Sequence, residues 1–380
     1  GLMAMDAVHA QNFHWATRIG GTGHDAAVSA ATDANSNVIA VGYFWGTVDF
    51  DPGTGTSNMT STGEYDAYIQ KLDASGNLVW AKKIGSTWSD YTLDIKTDMS
   101  GNIYIMGIFR GTVDFDPGPG TFTMASSSSS GQDIFLMKLD ASGNFAWAVQ
   151  RQATEQADRY AAGGQFTMDN NNNIYMAYGF CDNQQNEASY RIIEKTNGSC
   201  TSIWTKQINE AAGSSFKPFL LAPAITLDAA GNIIVAGTFR NEIDFDPDGI
   251  LELSTDGSQN GYVLKLDNTG DLVWVKQLEI SFPGFTNIQD VAADPNGNLY
   301  AVGRFGGTAD FDPNAGTQAQ TSISSLGHSM FIWKLTGGGN FAWMKQYGNG
   351  GNNILNAVTT DGIGNVYTTG YFETIAYFTT

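Results

Sequence analysis

Residues 37–80 set out an order of segments that the chain then repeats along most of its length. The order is Asn37-Val-Ile-Ala-Val-Gly-Tyr-Phe44, then Gly46-Thr-Val-Asp-Phe-Asp-Pro-Gly53, a polar loop, Asp66-Ala-Tyr-Ile-Gln-Lys-Leu-Asp73 and Ala74-Ser-Gly-Asn-Leu-Val-Trp80. It returns over residues 102–147, 232–274 and 298–343, with a degenerate copy at 173–204. Asn recurs at 37, 102, 173, 232, 298 and 365, and Trp at 15, 80, 147, 204, 274 and 343. Two independent landmarks thus keep one spacing of 57 to 71 residues. A shared period of this length marks an array of one supersecondary unit, each copy burying its faces against the next.

Each unit reads as four short strands. In the first copy they are A at 26–32, B at 38–44, C at 67–72 and D at 78–84. Asp33 to Asn37 joins A to B, and the near twin Asp73 to Asn77 joins C to D. In such turns the Asp accepts from backbone amides while Gly or Asn takes the positive φ, so both runs predict hairpins rather than calcium loops. A four-stranded meander repeated around an axis is a propeller blade. The expectation is therefore an all-β, six-bladed β-propeller of four-stranded antiparallel blades, occupying residues 1–380 as one domain. The sixth blade takes its A and B strands from 354–361 and 366–372 and its D strand from 13–20, so joining the chain ends closes the ring. Residues 2–7 then fall where strand C belongs, unless residues 1–10 are a signal-peptide remnant. All A–B and C–D turns lie on one face, and the long B–C and D–A loops on the other, which becomes the expected working face.

The run Gly21-Gly23-His24-Asp25-Ala26, the Asp33 to Val38 turn and Val41-Gly-Tyr-Phe44 carry a family resemblance, as does the recurrent Gly-Asn-x-Tyr-x-x-Gly-x-Phe. They resemble the seven-bladed β-propeller repeats of bacterial secreted and surface proteins, over essentially the whole chain. The resemblance implies an extracellular or cell-surface location and a noncatalytic role, with no fixed active site. Two departures stand out: six units rather than seven, and a third unit without the Asp-Phe-Asp-Pro loop.

Composition narrows the function classes. The 38 acidic against 19 basic residues give a formal charge of −19, which repels phosphate backbones, so nucleic acid is not an expected partner. No run of 18 apolar residues occurs, so no membrane-inserted helix is expected. No glycine-rich phosphate loop, Gly-x-Ser-x-Gly elbow or zinc-ligand spacing is present.

The candidate chemistry sits in the loops. Asp-Phe-Asp-Pro occurs at Asp49/Asp51, Asp114/Asp116, Asp244/Asp246 and Asp310/Asp312. Residues two apart share a side in an extended segment, so each pair offers two carboxylates to a Ca2+ ion, short of the six to eight oxygens calcium takes. The alternative is structural: the Phe plugs the blade and the Asp holds the turn. The repeated tryptophans read as inter-blade packing. Trp45 and Trp88 lie off the pattern on the loop face and are the candidates for contact with a protein or glycan. Cys181 and Cys200 align with opposite faces of the third unit, which places them some 20 Å apart and predicts no bond between them. The leading expectation is a noncatalytic, bacterial, extracellular or cell-surface scaffold or adhesion module acting through its loop face. The alternatives are a fibre subunit completed by strand exchange with a second copy, and a glycan-active enzyme using channel carboxylates.

Overall fold

A computed structural model describes residues 14–127, 131–152, 159–182, 190–210, 223–246, 251–323, 328–348 and 351–373. These form a β-propeller built only from antiparallel sheets, with no helix among the described residues. Blade 1 pairs Ala26–Thr32, Val38–Phe44, Asp66–Leu72 and Leu78–Ile84 in that order. The same meander recurs in blade 2 (Tyr91–Thr97 to Phe145–Arg151), blade 3 (Arg159–Met168 to Ser202–Glu210), blade 4 (Ala224–Leu227 to Leu272–Ile280) and blade 5 (Phe285–Ala293 to Phe341–Tyr347). A sixth unit contributes Asn353–Thr360 and Val366–Phe372 as a two-stranded sheet. Strand bounds read from hydrophobic alternation hold to within one residue in blade 1 and the sixth unit.

The turns follow from their Asp. Asp33 Oδ1 accepts from Asn35 N and Asn37 N at 2.9 and 3.0 Å, and its Oδ2 accepts from Asn37 Nδ2 at 2.8 Å. The fourth residue takes φ between about 60 and 90° throughout, as Gly at most turns and as Ser36, Asn172 or Cys200 elsewhere. The turn then meets its neighbour. The Trp80 ring lies against the Gly143 turn of blade 2, where a Cβ would come within 2.9 Å of it, and Trp204 and Trp274 meet Gly270 and Gly339 in the same way. Lysines reach forward too: Lys71 Nζ binds Asp33 at 2.9 Å in its own blade and donates to Ala141 O of blade 2 at 2.9 Å. Lys265 repeats this on Asp228 and Gly337 O.

The core lies between successive sheets. One cluster joins Ile39, Val41, Ile69 and Ile84 of blade 1 to Ile105, Phe109, Phe115 and Phe135 of blade 2. Phe50 is fully buried against Phe44 and Tyr68, with ring centroids 5.2 and 5.0 Å away, and Phe115, Phe245 and Phe311 do the same in their blades. The fifth residue of strand C holds this plug in place: Gln70 Nε2 donates to Phe50 O at 2.7 Å and Trp333 Nε1 to Phe311 O at 2.8 Å. Blade 3 lacks the plug. At the position matching Gln70 and Trp333, its Glu194 forms a bidentate ion pair with Arg151 of blade 2 at 2.7 and 3.0 Å and accepts from Tyr178 Oη at 3.1 Å.

Three features differ from expectation. Each Asp-Phe-Asp-Pro loop forms a small hairpin, such as Thr47–Asp49 with Asn58–Thr60, rather than an open loop. In blades 4 and 5 that hairpin adds to the edge of the preceding blade, through Asn209↔Asp244 and Ile280↔Ala309. Residues 14–19 form no strand, although Trp15 occupies a strand D position by packing: it meets the Gly76 turn and donates from Nε1 to Ala74 O at 2.9 Å. No sheet joins these residues to the sixth unit, so the expected closure is not seen among the described residues, and the strand C expected at 2–7 lies outside them.

Inter-blade packing at the turn can be separated from backbone strain. Gly231, at φ 79°, has nothing within 4 Å of a would-be Cβ, whereas Gly143, at φ 82°, has Trp80 and Lys82 at 2.9 Å. Gly231→Ala is expected to cost about 1–2 kcal/mol in urea unfolding, the price of a left-handed Ala. Gly143→Ala is expected to cost at least about 1 kcal/mol more. Equal losses would mean that the Trp contact contributes nothing.

Candidate loop-face site

The eight loop aspartates act first on their own backbone. Asp49 Oδ1 accepts from Asp51 N and Ser57 N at 3.0 and 2.8 Å, and Asp51 Oδ1 from Gly53 N at 2.8 Å. Asp114 accepts from Asp116 N and Phe122 N, and Asp116 from Gly118 N. Asp244 accepts from Asp246 N and Leu251 N. Asp310 accepts from Asp312 N and Gln318 N, and Asp312 from Asn314 N. The two carboxylates of a loop therefore close two different turns. Amide donors hold the Asp49 carboxyl below the usual carboxylate range. Among the described residues no three His, Cys, Asp or Glu side chains gather as a metal would require.

Trp45 and Trp88 sit where the repeat register put them, on the loop face at the ends of blade 1, and are 52% and 42% exposed. Trp88 carries the Arg110 guanidinium over its ring at 3.9 Å, while the Trp45 ring is bare. Beside them the structure brings together four rings that sequence reading did not single out. His24 stacks on Tyr43 at 6.0 Å, Tyr43 meets Tyr65 and Tyr91 edge-on at 5.4 and 5.0 Å, and Tyr65 lies 5.8 Å from Tyr91. His24 comes from the loop before strand A, Tyr43 from the end of strand B, Tyr65 from the B–C loop and Tyr91 from the first residue of blade 2. The signal was available by comparing copies: the column that holds Tyr43 holds Ile108, Thr238 and Arg304 in other blades, so it varies where its neighbours repeat.

Carboxylates adjoin three of these rings in sequence. Asp66 is fully buried, bonded through Oδ2 to Thr62 and to Lys83 Nζ at 2.7 Å, and Asp90 accepts from Ser86 N and Arg110 N at 2.6 and 3.0 Å. Asp25 Oδ1 and Asp66 Oδ1 are buried without a hydrogen-bond partner. Burial pushes the Asp90 carboxyl up to about 6, partly offset by its amide donors.

The acids of the inner strands are structural ties. Asp94 accepts from Ser29 Oγ of blade 1, from Lys96 Nζ and from Phe166 N of blade 3. Asp290 accepts from Val291 N and from Val358 N of the sixth unit. Burial pushes Asp290 up to about 6, and the charges of Lys96 and Asp94 of blade 2 also act on it. In the third unit, Cys200 is a buried free thiol in the turn at one end of its sheet. The Cys181 backbone pairs with Tyr160 at the other end, as expected, and its side chain lies outside the described set.

No family model matches the chain. It is 22% identical, over 94% of its own length, to an uncharacterized WD repeat-containing protein of Acanthamoeba polyphaga mimivirus. The chain covers 31% of that protein, so it spans about a third of the relative's length. The likeness agrees with a repeat protein of propeller type; it does not identify the bacterial repeat family.

The carboxyl shifts set opposite pH limbs. Asp90 and Asp290 are raised above the unfolded value, so the folded state takes up protons first and stability rises as pH falls from about 7 towards 4. The turn aspartates are lowered, Asp33 to about 2: burial works against the charge, but donors from Asn37 and Lys71 outweigh it. Their contribution is present above the unfolded carboxylate range and is lost as pH falls through about 4 towards 2. Urea midpoints at pH 7, 5 and 3 should peak near 5, and Asp290→Asn should flatten the limb between 5 and 7. An unchanged limb in that variant would remove Asp290 from the account.

Proposed function

We propose that this chain is a noncatalytic propeller scaffold that binds a protein partner through its loop face, outside the cell or at its surface. One observation carries the reading. The repeated residues are spent on packing and turns, whereas the loop face around blade 1 breaks the repeat with exposed Trp45 and Trp88 and a cluster of exposed His24 with half-buried Tyr43, Tyr65 and Tyr91. Large exposed aromatics with no structural duty mark contact surfaces. The likeness to a WD repeat-containing protein supports an interaction module of this fold. Location rests on the resemblance to secreted bacterial repeats and on the acidity of the chain. The carboxylates of the inner strands, tied to backbone amides of the next blade, support a scaffold over a glycan-active enzyme. Calcium binding by the Asp49/Asp51 type of loop is a separate proposal that calorimetric titration with Ca2+ against a chelator decides.

A second reading has its own observation. Val366–Phe372 pairs with Asn353–Thr360 on one edge and with no strand on the other among the described residues, and Tyr367, Tyr371 and Phe372 are 45%, 50% and 51% exposed. An open edge of this kind accepts a strand from a second copy.

The test is a pull-down from extract of the source organism with wild type and a Trp45→Ala/Trp88→Ala variant of equal thermal midpoint. The expected result is a protein retained by wild type and reduced at least about tenfold with the variant, the loss of two aromatic anchors. Identical retention would move the contact off this face. Filaments of the pure protein in electron micrographs, abolished by Tyr371→Lys, would favour the second reading instead.

A further inference from the structure

The aromatic cluster between blades 1 and 2 lacks the covering cation that several other rings of the protein have. Those rings are Trp80 under Lys82, Trp88 under Arg110, Tyr104 under Lys138, Phe166 under Lys96, Tyr175 under Lys195, Phe285 under Arg304 and Tyr300 under Lys334. Among the described residues no Lys or Arg lies over His24, Tyr43, Tyr65 or Tyr91. Among the described residues the hydroxyls of the three tyrosines have no hydrogen-bond acceptor, whereas those of Tyr104, Tyr175, Tyr178, Tyr300 and Tyr367 are all bonded to carboxylates.

The surroundings are acidic. His24, Tyr65 and Tyr91 each adjoin a carboxylate in sequence, Asp25, Asp66 and Asp90, and Glu64 stands at the rim, bonded to Ser89 Oγ. Three cations stand near these acids: Lys83 is held by Asp66, Arg110 is stacked on Trp88, and Arg18 lines the same cavity as Asp25. Blade 5 shows what the same position does when a cation is supplied from within. There Arg304 replaces Tyr43 in register, lies 5.9 Å from the Phe285 ring and contacts His328 Nδ1 at 3.3 Å, His328 standing where Tyr65 stands in blade 1.

We propose that the His24, Tyr43, Tyr65 and Tyr91 patch is the recognition site for a basic side chain, Arg or Lys, of the protein partner, held over the rings and drawn in by the net negative charge of the chain. The inference rests on the loop-face reading above and gives its ligand chemistry. Ring quadrupoles attract a cation at their faces, the free hydroxyls accept from its N–H groups, and the field of a chain carrying −19 steers basic segments towards it. A neutral or acidic segment would gain the apolar contact alone.

The test uses a fluorescent twelve-residue peptide with four Arg spaced by Gly and Ser, and its isosteric twin with citrulline in place of Arg, by anisotropy at 0.15 M salt, where diffuse attraction is largely screened. The Arg peptide is expected to bind at least about tenfold tighter than the citrulline twin, in line with a partly desolvated cation over several rings. Tyr43→Leu/Tyr65→Leu should abolish that preference, and Tyr43→Phe/Tyr65→Phe should keep most of it, with thermal midpoints showing that both variants fold. Binding of both peptides alike, or an Arg preference undiminished in the Leu variant, would overturn the proposal. If the extract partner still depends on Trp45 and Trp88 but ignores Tyr43→Leu/Tyr65→Leu, the scaffold reading stands and the basic-side-chain site falls.

Discussion

A four-stranded sheet about seven residues deep has two faces to bury and cannot bury either alone, so every blade here depends on the sheets before and after it. The larger buried clusters span blade boundaries, as where Ile69 and Ile84 pack with Phe109 and Phe115 of the next sheet. The other regularities serve that constraint. Trp80, Trp204 and Trp274 sit where a Cβ on Gly143, Gly270 and Gly339 would stand, and at Gly143 and Gly270 the turn is held by an Asp that gathers its amides. Register, turn chemistry and inter-blade packing therefore fail or hold together.

This coupling explains how far the sequence could be read. Strand bounds were legible because alternation and turn signals coincide at both ends of every strand, as at Thr32–Asp33 and Asn37–Val38. The role of the repeated Trp was legible because one residue per unit at a fixed place is the mark of packing. Pairing between blades was not, because the edge addition of Asp244 to Asn209 joins residues whose relation depends on how one sheet is rotated against the next. The Glu194 and Arg151 pair was missed for the same reason: it joins groups from two blades, and nothing in either segment names the other.

The loop face was legible as a face and only partly as a site. Trp45 and Trp88 stood out because they interrupt the pattern. Tyr43, Tyr65, Tyr91 and His24 did not, because each looks like ordinary strand-end composition until the fold sets each ring within 6.0 Å of at least two others. Function in an array of this type is written in columns that vary among copies, while the constant columns describe only the scaffold.

The contacts between blades also have a direction. Trp204 and Lys195 of blade 3 reach forward onto the Asn268 turn of blade 4, while the hairpin of blade 4 reaches back to the edge of blade 3. The boundaries before blades 4 and 5 are thus latched at two faces by different chains of atoms, side chains below and backbone ladder above. Under tension the two latches are loaded differently according to which end is pulled: a backbone ladder peeled from its end opens one bond at a time, whereas an indole seated on a turn must be dislodged whole. The array is a chain of one-way clasps, and its mechanical strength depends on the sense in which the load is applied.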